Sequence, residues 1–366
     1  MDMHAQAILE VAESWEWPLA ARLQATGEQA GKFKAVTPKL LSGFIKESHA
    51  LGGSLLDQFW DVVGGCHPQL TENAEKLRNM VFVSKQDSEQ MLFEGISREE
   101  VNFGPIFTMA AELFTHLGVA FMNPGGRRSG SGTSHSVTDI ISKATDELLV
   151  SAKKEGLGQR KQAALKELVL RRDSHLCPLT HATFDGDGVD PILAHIIPNS
   201  VHDKPDTLKC IAMFAGIAAR DCVVQQLNDV GNLMTIEANA HTAYDNLKWG
   251  IEAQTHGESV KYIYRRVPAP DTPAPGPGYI RLRDGDEILF GRGPDGVKLG
   301  LGPDPLLCNL QLAVARVLKM SAAAELIMEM KDDADDSDYP HVYIASDAFC
   351  DILTAKLLLS GRAPLM

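Results

Sequence analysis

Over residues 1–150, apolar side chains recur at intervals of three and four, the period of a helix with one buried face. The pattern predicts helices over residues 5–26, 38–63, 72–81, 98–117 and 136–154, punctuated by Gly and Pro. Residues 123–134, rich in Gly, Ser and Arg, interrupt the pattern as a surface loop. Their glycines lack the spacing of a phosphate-binding loop, and no Gly-Lys-Ser/Thr follows. After residue 150 the period changes. A helix predicted over 159–172 leads into short apolar runs at 192–196 and 233–236 that fit strands, then a helix over 239–251 and a strand over 262–267. The long connection 198–227 carries an apolar helix of its own, at about 208–221.

Residues 267–278 hold five prolines and read as a stiff linker. Beyond it, runs at 279–282 and 287–291 flank Arg283-Asp284-Gly285-Asp286, a hairpin signal, and helices are predicted over 306–330 and 346–359. The chain therefore reads as α+β, predominantly α. Its parts are a helical N-terminal region (1–150), a central ββα unit (151–267), a Pro-rich linker (268–278) and a small C-terminal region of hairpin and helices (279–366), which can pack back on the N-terminal helices.

With 366 residues the chain can bury a substantial core, and 44% hydrophobic with 6% aromatic residues is ordinary for a globular protein. No apolar run approaches the ~20 residues of a membrane span. Met1-Asp2-Met3-His4 lacks the basic and apolar regions of a signal peptide, so an intracellular protein, cytoplasmic or nuclear, is expected. The six cysteines are scattered without a Cys-x-x-Cys pair, which suits reduced, mostly buried thiols. Cys177 with His181 lacks a second pair at zinc-site spacing, so Cys177 reads as core packing.

The chemistry concentrates in three short stretches: Ala194-His195-Ile196-Ile197-Pro198, Gly231-Asn232-Leu233-Met234, and Ala240-His241-Thr242-Ala243-Tyr244-Asp245. They fit a strand ending on a histidine, a second strand opening on an asparagine, and a helix presenting His241 and Asp245 on one face, four residues apart. Metal-assisted hydrolysis requires a base for water and a cation for the developing negative charge. His195 can be the base, since a neutral imidazole accepts a proton near neutral pH. Asn232 cannot titrate and suits an orienting role. His241 and Asp245 offer one nitrogen and one oxygen, a set that suits Mg²⁺, Mn²⁺ or Zn²⁺. Singly, the same residues read as a core histidine, a turn asparagine and a surface pair.

In this order the residues resemble the HNH nucleases with a ββα-metal (His-Me finger) core, in particular the HNH domains of fungal hypothetical proteins, over roughly residues 168–267. His241 follows Asn232 by nine residues, an interval that bacterial DNase toxins and the HNH domain of RNA-guided nucleases share. The lead-in Arg172-Asp173-Ser174-His175-Leu176-Cys177-Pro178-Leu179-Thr180 is similar to the family's Arg-Asp-x-x-x-Cys-x-x-Thr. The resemblance implies a metal-dependent endonuclease with His195 as general base, Asn232 orienting it, and His241 with Asp245 holding one divalent ion. Its partner would be nucleic acid, DNA ahead of RNA, reached directly or through a partner protein. One position departs from the pattern. The residue before the base is usually a metal-binding Asp or His, and here it is Ala194; Ala194→Asp is expected to restore a ligand beside the base. The rival reading is a non-catalytic or repurposed HNH scaffold that binds something else.

Charge bears on the choice. The net charge is −13, but residues 151–267 hold 14 basic against 14 acidic side chains, whereas 1–150 hold 12 against 19 and 268–366 hold 9 against 15. The candidate region is thus the least acidic part of the chain, and Arg171, Arg172, Lys204 and Lys248 are its expected phosphate contacts. A remote third reading comes from Asp332-Asp333-Ala334-Asp335-Asp336, similar to the Mg²⁺-binding Asp-Asp-x-x-Asp of isoprenoid-diphosphate enzymes. The second Mg²⁺ motif of those enzymes is missing, so a solvated acidic loop is expected.

Overall fold

A computed structural model of the chain describes residues 2–12, 28–122, 140–154, 162–184, 189–201, 204–257, 259–269, 276–277 and 279–335. The helix expected over 346–359, the glycine-rich loop 123–134 and most of the proline linker lie outside the described residues. What is described is mostly helical, with two small antiparallel sheets, which is the α+β, predominantly α class read from the sequence. Among these residues no single helix is long and apolar enough to cross a membrane.

The N-terminal helices are α1 (Met3–Ala12), α2 (Glu28–Leu51), α3 (Leu55–Gly65), α4 (Pro68–Arg78), α5 (Lys85–Leu92) and α6 (Gly104–Leu113), the last running on through a π turn at Phe114–Val119. Expected to open at Pro38, α2 instead begins ten residues earlier and carries Pro38 in its interior. Its buried Phe33 meets Phe107 and Phe114 edge-on at 5.1 Å each, and Phe44 meets Phe214 at 5.3 Å. The first two contacts tie the N-terminal helices to one another, the third binds them to the centre of the chain, and all have the geometry aromatic rings prefer.

Next come α7 (Thr145–Ala152), α8 (Ala163–Asp173), β1 (Ile192–His195), α9 (Pro205–Ala215), α10 (Ile217–Gln226), β2 (Leu233–Ile236), α11 (Ala238–Asp245), β3 (Trp249–His256), β4 (Ser259–Arg266) and β5 (Glu287–Ile288). The single helix expected at 208–221 is split in two at Gly216, whose φ of 87° no helix accommodates. The helix expected to reach Ile251 stops at Asp245, because Leu247 takes φ 54° and Trp249, Ile251 and Ala253 then alternate as the buried face of β3. Residues 287–288 pair with β4 (Tyr262↔Ile288) and not with 279–282, while Arg283–Asp286 forms the expected turn, with the Asp286 N–H donating to the Arg283 carbonyl at 3.0 Å.

The last described elements are α12 (Pro305–Met320) and α13 (Ala323–Asp335), bent by 81° where one helix was expected. Ser321 Oγ caps the Val317 carbonyl at 2.7 Å and Ala322 turns to φ 64°. The backbone of Asp332, Asp333 and Asp335 is therefore helical, not looped, and Asp336 lies outside the described residues.

Residues from all three expected regions contribute to one continuous core, from Ala5 to Ile327. Within it α12 packs on β3 and on α2. Gly250 permits the first contact, since a Cβ there would sit 2.9 Å from Leu312 Cδ1. A smaller apolar cluster joins Leu165, Leu168 and Val169 of α8 to Leu233 of β2, with Leu193 of β1 against it, while Ala194, Met234 and Ile236 belong to the large core. The β1–β2 pair is thus covered on both faces.

Candidate functional site

β1 and β2 run antiparallel with His195 opposite Leu233 and Ala194 opposite Met234. The order His, Asn, His is thereby folded into one neighbourhood: His195 ends β1, Asn232 immediately precedes β2, and His241 follows on α11. Asn232 is fully buried, and its amide acts as a clasp. Oδ1 accepts from Ile197 N–H at 2.7 Å, while Nδ2 donates to the carbonyls of Ile197 at 2.9 Å and Leu227 at 3.1 Å. Its main-chain carbonyl accepts from Ile196 N–H at 2.8 Å. Every one of these partners is backbone, so Asn232 fixes the path of the chain leaving His195. It acts on the chain at Ile196 and Ile197 and makes no bond to the imidazole.

Two aromatic residues hold α11 against that path. Tyr244 Oη donates to the Ile196 carbonyl at 3.3 Å, Trp249 Nε1 donates to the Ala240 carbonyl at 3.0 Å, and their rings pack 4.8 Å apart. Sequence reading missed both. The available signal was their rarity, six Tyr and four Trp in the whole chain, beside a histidine-bearing helix.

His195 as a whole residue is partly exposed, but its Nε2 is enclosed and has no hydrogen-bond partner among the described residues. Oδ1 of Asn199, in the turn that follows, is likewise enclosed and unpartnered. Burial, reinforced by the nearby His241, lowers the His195 pKa to about 4. On α11, His241 Nδ1 and Asp245 Oδ2 lie 3.3 Å apart, the pairing expected from their spacing. Both are partly exposed. One nitrogen and one oxygen converging at this distance fit a shared divalent ion or a simple ion pair. Among the described residues no three His, Cys, Asp or Glu side chains are grouped to hold an ion.

The expected phosphate contacts fare differently. Arg172 is fully enclosed and bonded to Asp173 and to the carbonyls of Val230 and Leu233, so it faces the interior and not a phosphate. Arg171 is committed to Glu167 and to the carbonyls of Lys143 and Ile141, each at 2.8 Å. Lys204 is buried, 4% exposed, at the start of α9. Of the four only Lys248, in the turn between α11 and β3, is open to solvent. The helix-end arginines were read as surface cations, and the adjacent aspartate was the overlooked sign of a buried pair.

Ala194 also departs from expectation. It is fully buried in the large core, as strand alternation dictates for the neighbour of a site-facing residue. Ala194→Asp should therefore not add a ligand beside the base. It should place a carboxylate among apolar side chains and cost about 2–4 kcal/mol. Urea denaturation with chelator and then with Mn²⁺ checks this: the loss is expected in both, and recovery with Mn²⁺ would restore the ligand interpretation.

The lowered His195 pKa fixes a second expectation. Between about pH 6.5, the ordinary histidine value, and pH 4 the unfolded chain binds a proton that the folded site refuses. Stability is complete above that window and is lost as pH falls through it, by about 2–3 kcal/mol for this group. Denaturation midpoints of wild type and His195→Gln at pH 7 and pH 4.5 should show a shallower acid loss in the variant. Equal losses would mean that the imidazole is open to water.

No protein-family model matches the chain, and no curated protein or solved structure matches it at a significant level. The resemblance to HNH nucleases rests on the sequence motif alone.

Proposed function

We propose that the chain hydrolyses nucleic-acid phosphodiesters with one divalent ion, DNA being favoured over RNA. The observation that carries the reading is the enclosed, unpartnered Nε2 of His195 beside His241, on a strand end held by Asn232. His195 is neutral at physiological pH, the state in which an imidazole can serve as a general base. Its lowered basicity makes it a weak base on its own. His241 and Asp245 would hold the ion, which supplies neutralisation of charge on the phosphate and the leaving oxygen. Asn232 and Tyr244 keep the main chain after His195 in place, so the base is preorganised.

A second reading, a non-catalytic scaffold on the same frame, is favoured by one specific observation. Ala194 and Arg172, at the positions where a ligand and a phosphate contact were sought, are both sealed in the interior. Calorimetric titration of Mn²⁺ and Zn²⁺ into wild type, His241→Ala and Asp245→Ala separates the two. The nuclease reading expects one ion bound by wild type, weakened in both variants, and cleavage that depends on it. No binding by wild type would leave the scaffold reading standing.

A further inference from the structure

Behind the site lies a charged pair that the proposed chemistry does not use. Arg172, at the end of α8, spends four N–H groups on fixed partners. Nε and Nη2 meet the two carboxylate oxygens of Asp173 at 2.9 and 2.6 Å, Nη1 meets the Val230 carbonyl at 2.7 Å, and Nη2 also meets the Leu233 carbonyl at 2.8 Å. The guanidinium carbon lies 6.0 Å from the centre of the Phe290 ring. Val230 and Leu233 bracket Gly231-Asn232, so the guanidinium holds both sides of the asparagine's own backbone. A rigid planar fork can reach two carbonyls while pairing with a carboxylate, whereas an ammonium group is a single point of charge.

The same short segment is gripped from the C-terminal side. Asp304 N–H donates to the Gly231 carbonyl at 2.7 Å, and Asp173 Oδ1 accepts from Gly291 N–H at 3.0 Å. Residues 230–233 are thus held between α8 and the segment that leads into α12. Asn232 then passes that placement on to Ile196 and Ile197 through the bonds described above.

We infer that Arg172 is a positioning residue for His195: it fixes the backbone at 230–233, which places Asn232, which in turn places the strand end carrying the imidazole. The inference deepens the nuclease reading and depends on it only for its kinetic readout. The test uses the full chain with Arg172→Lys, which keeps the charge but loses the fork, and with the double variant Arg172→Met/Asp173→Asn, which leaves no unpaired charge. Hydrogen exchange followed by mass spectrometry should show peptides covering Ile196 and Ile197 exchanging at least about tenfold faster, while peptides of α2 and α12 keep the wild-type rate. Where cleavage is measurable, kcat should fall roughly 10–100-fold with KM unchanged, as for loss of a supporting residue.

Wild-type exchange at Ile196 and Ile197 in a folded variant would overturn the inference. So would uniformly faster exchange, or failure of both variants to fold, since either would make Arg172 a determinant of global stability alone. A wild-type protein that cleaves nothing would sink the nuclease reading, and the exchange result would still decide the role of Arg172.

Discussion

Replacing His195 with Ala is expected to lower divalent-ion-dependent cleavage by roughly 10²–10⁴-fold, the usual worth of a general base. The fold should survive, because the Nε2 that is lost makes no hydrogen bond among the described residues and the ring is already costly to desolvate. Removing it takes away no bond that another buried group depends on. The measurement is cleavage of plasmid and of single-stranded substrates, beside a denaturation curve for the same preparation. Cleavage at the wild-type rate would assign the activity to another site and end the role of His195.

The second large effect concerns Asn232. Asn232→Ala strips three buried backbone groups of their partners at once: Ile197 N–H, the Ile197 carbonyl and the Leu227 carbonyl. An orphaned buried group costs about 1–3 kcal/mol, and with some relaxation the sum should come to roughly 3–5 kcal/mol. Asn232→Asp should fare no better, since a carboxylate cannot donate to the two carbonyls and would carry its charge into a site with no exposure. Urea unfolding of both variants checks the expectation. A loss below about 1 kcal/mol would mean that water enters and replaces the amide, and that the chain after His195 is not held as tightly as the geometry indicates.

The parts of the site that could be read from the sequence are those set by local rules. Strand, asparagine and helix follow one another within about fifty residues, and the four-residue step from His241 to Asp245 is a property of any helix. What could not be read depends on distant partners. Arg172 looks like a surface cation until Val230 and Leu233, some sixty residues on, supply the carbonyls that enclose it. The end of α11 was misplaced because Leu247, a non-glycine residue, adopts positive φ, and the break between α12 and α13 turns on Ala322 in the same way. No propensity argument assigns that conformation to leucine or alanine. The misreading of Ala194 differs in kind. Strand alternation alone assigns neighbouring side chains to opposite faces, so the outcome was available in the sequence but was outweighed by the family pattern.

The seat of α12 on β3 and α2 has a consequence for anyone wishing to borrow this site. Trp249 and Ile251 open the strand that follows the His241 helix, and Gly250 between them is shaped to receive Leu312 from beyond the proline-rich segment. The stretch that bears the HNH pattern is therefore not a cassette. Excised at its sequence boundaries, it would leave a raw apolar face where α12 belongs and an Asp173 without Gly291, and it would sooner aggregate than act. Whatever the site does, it does as the middle of a larger folded unit.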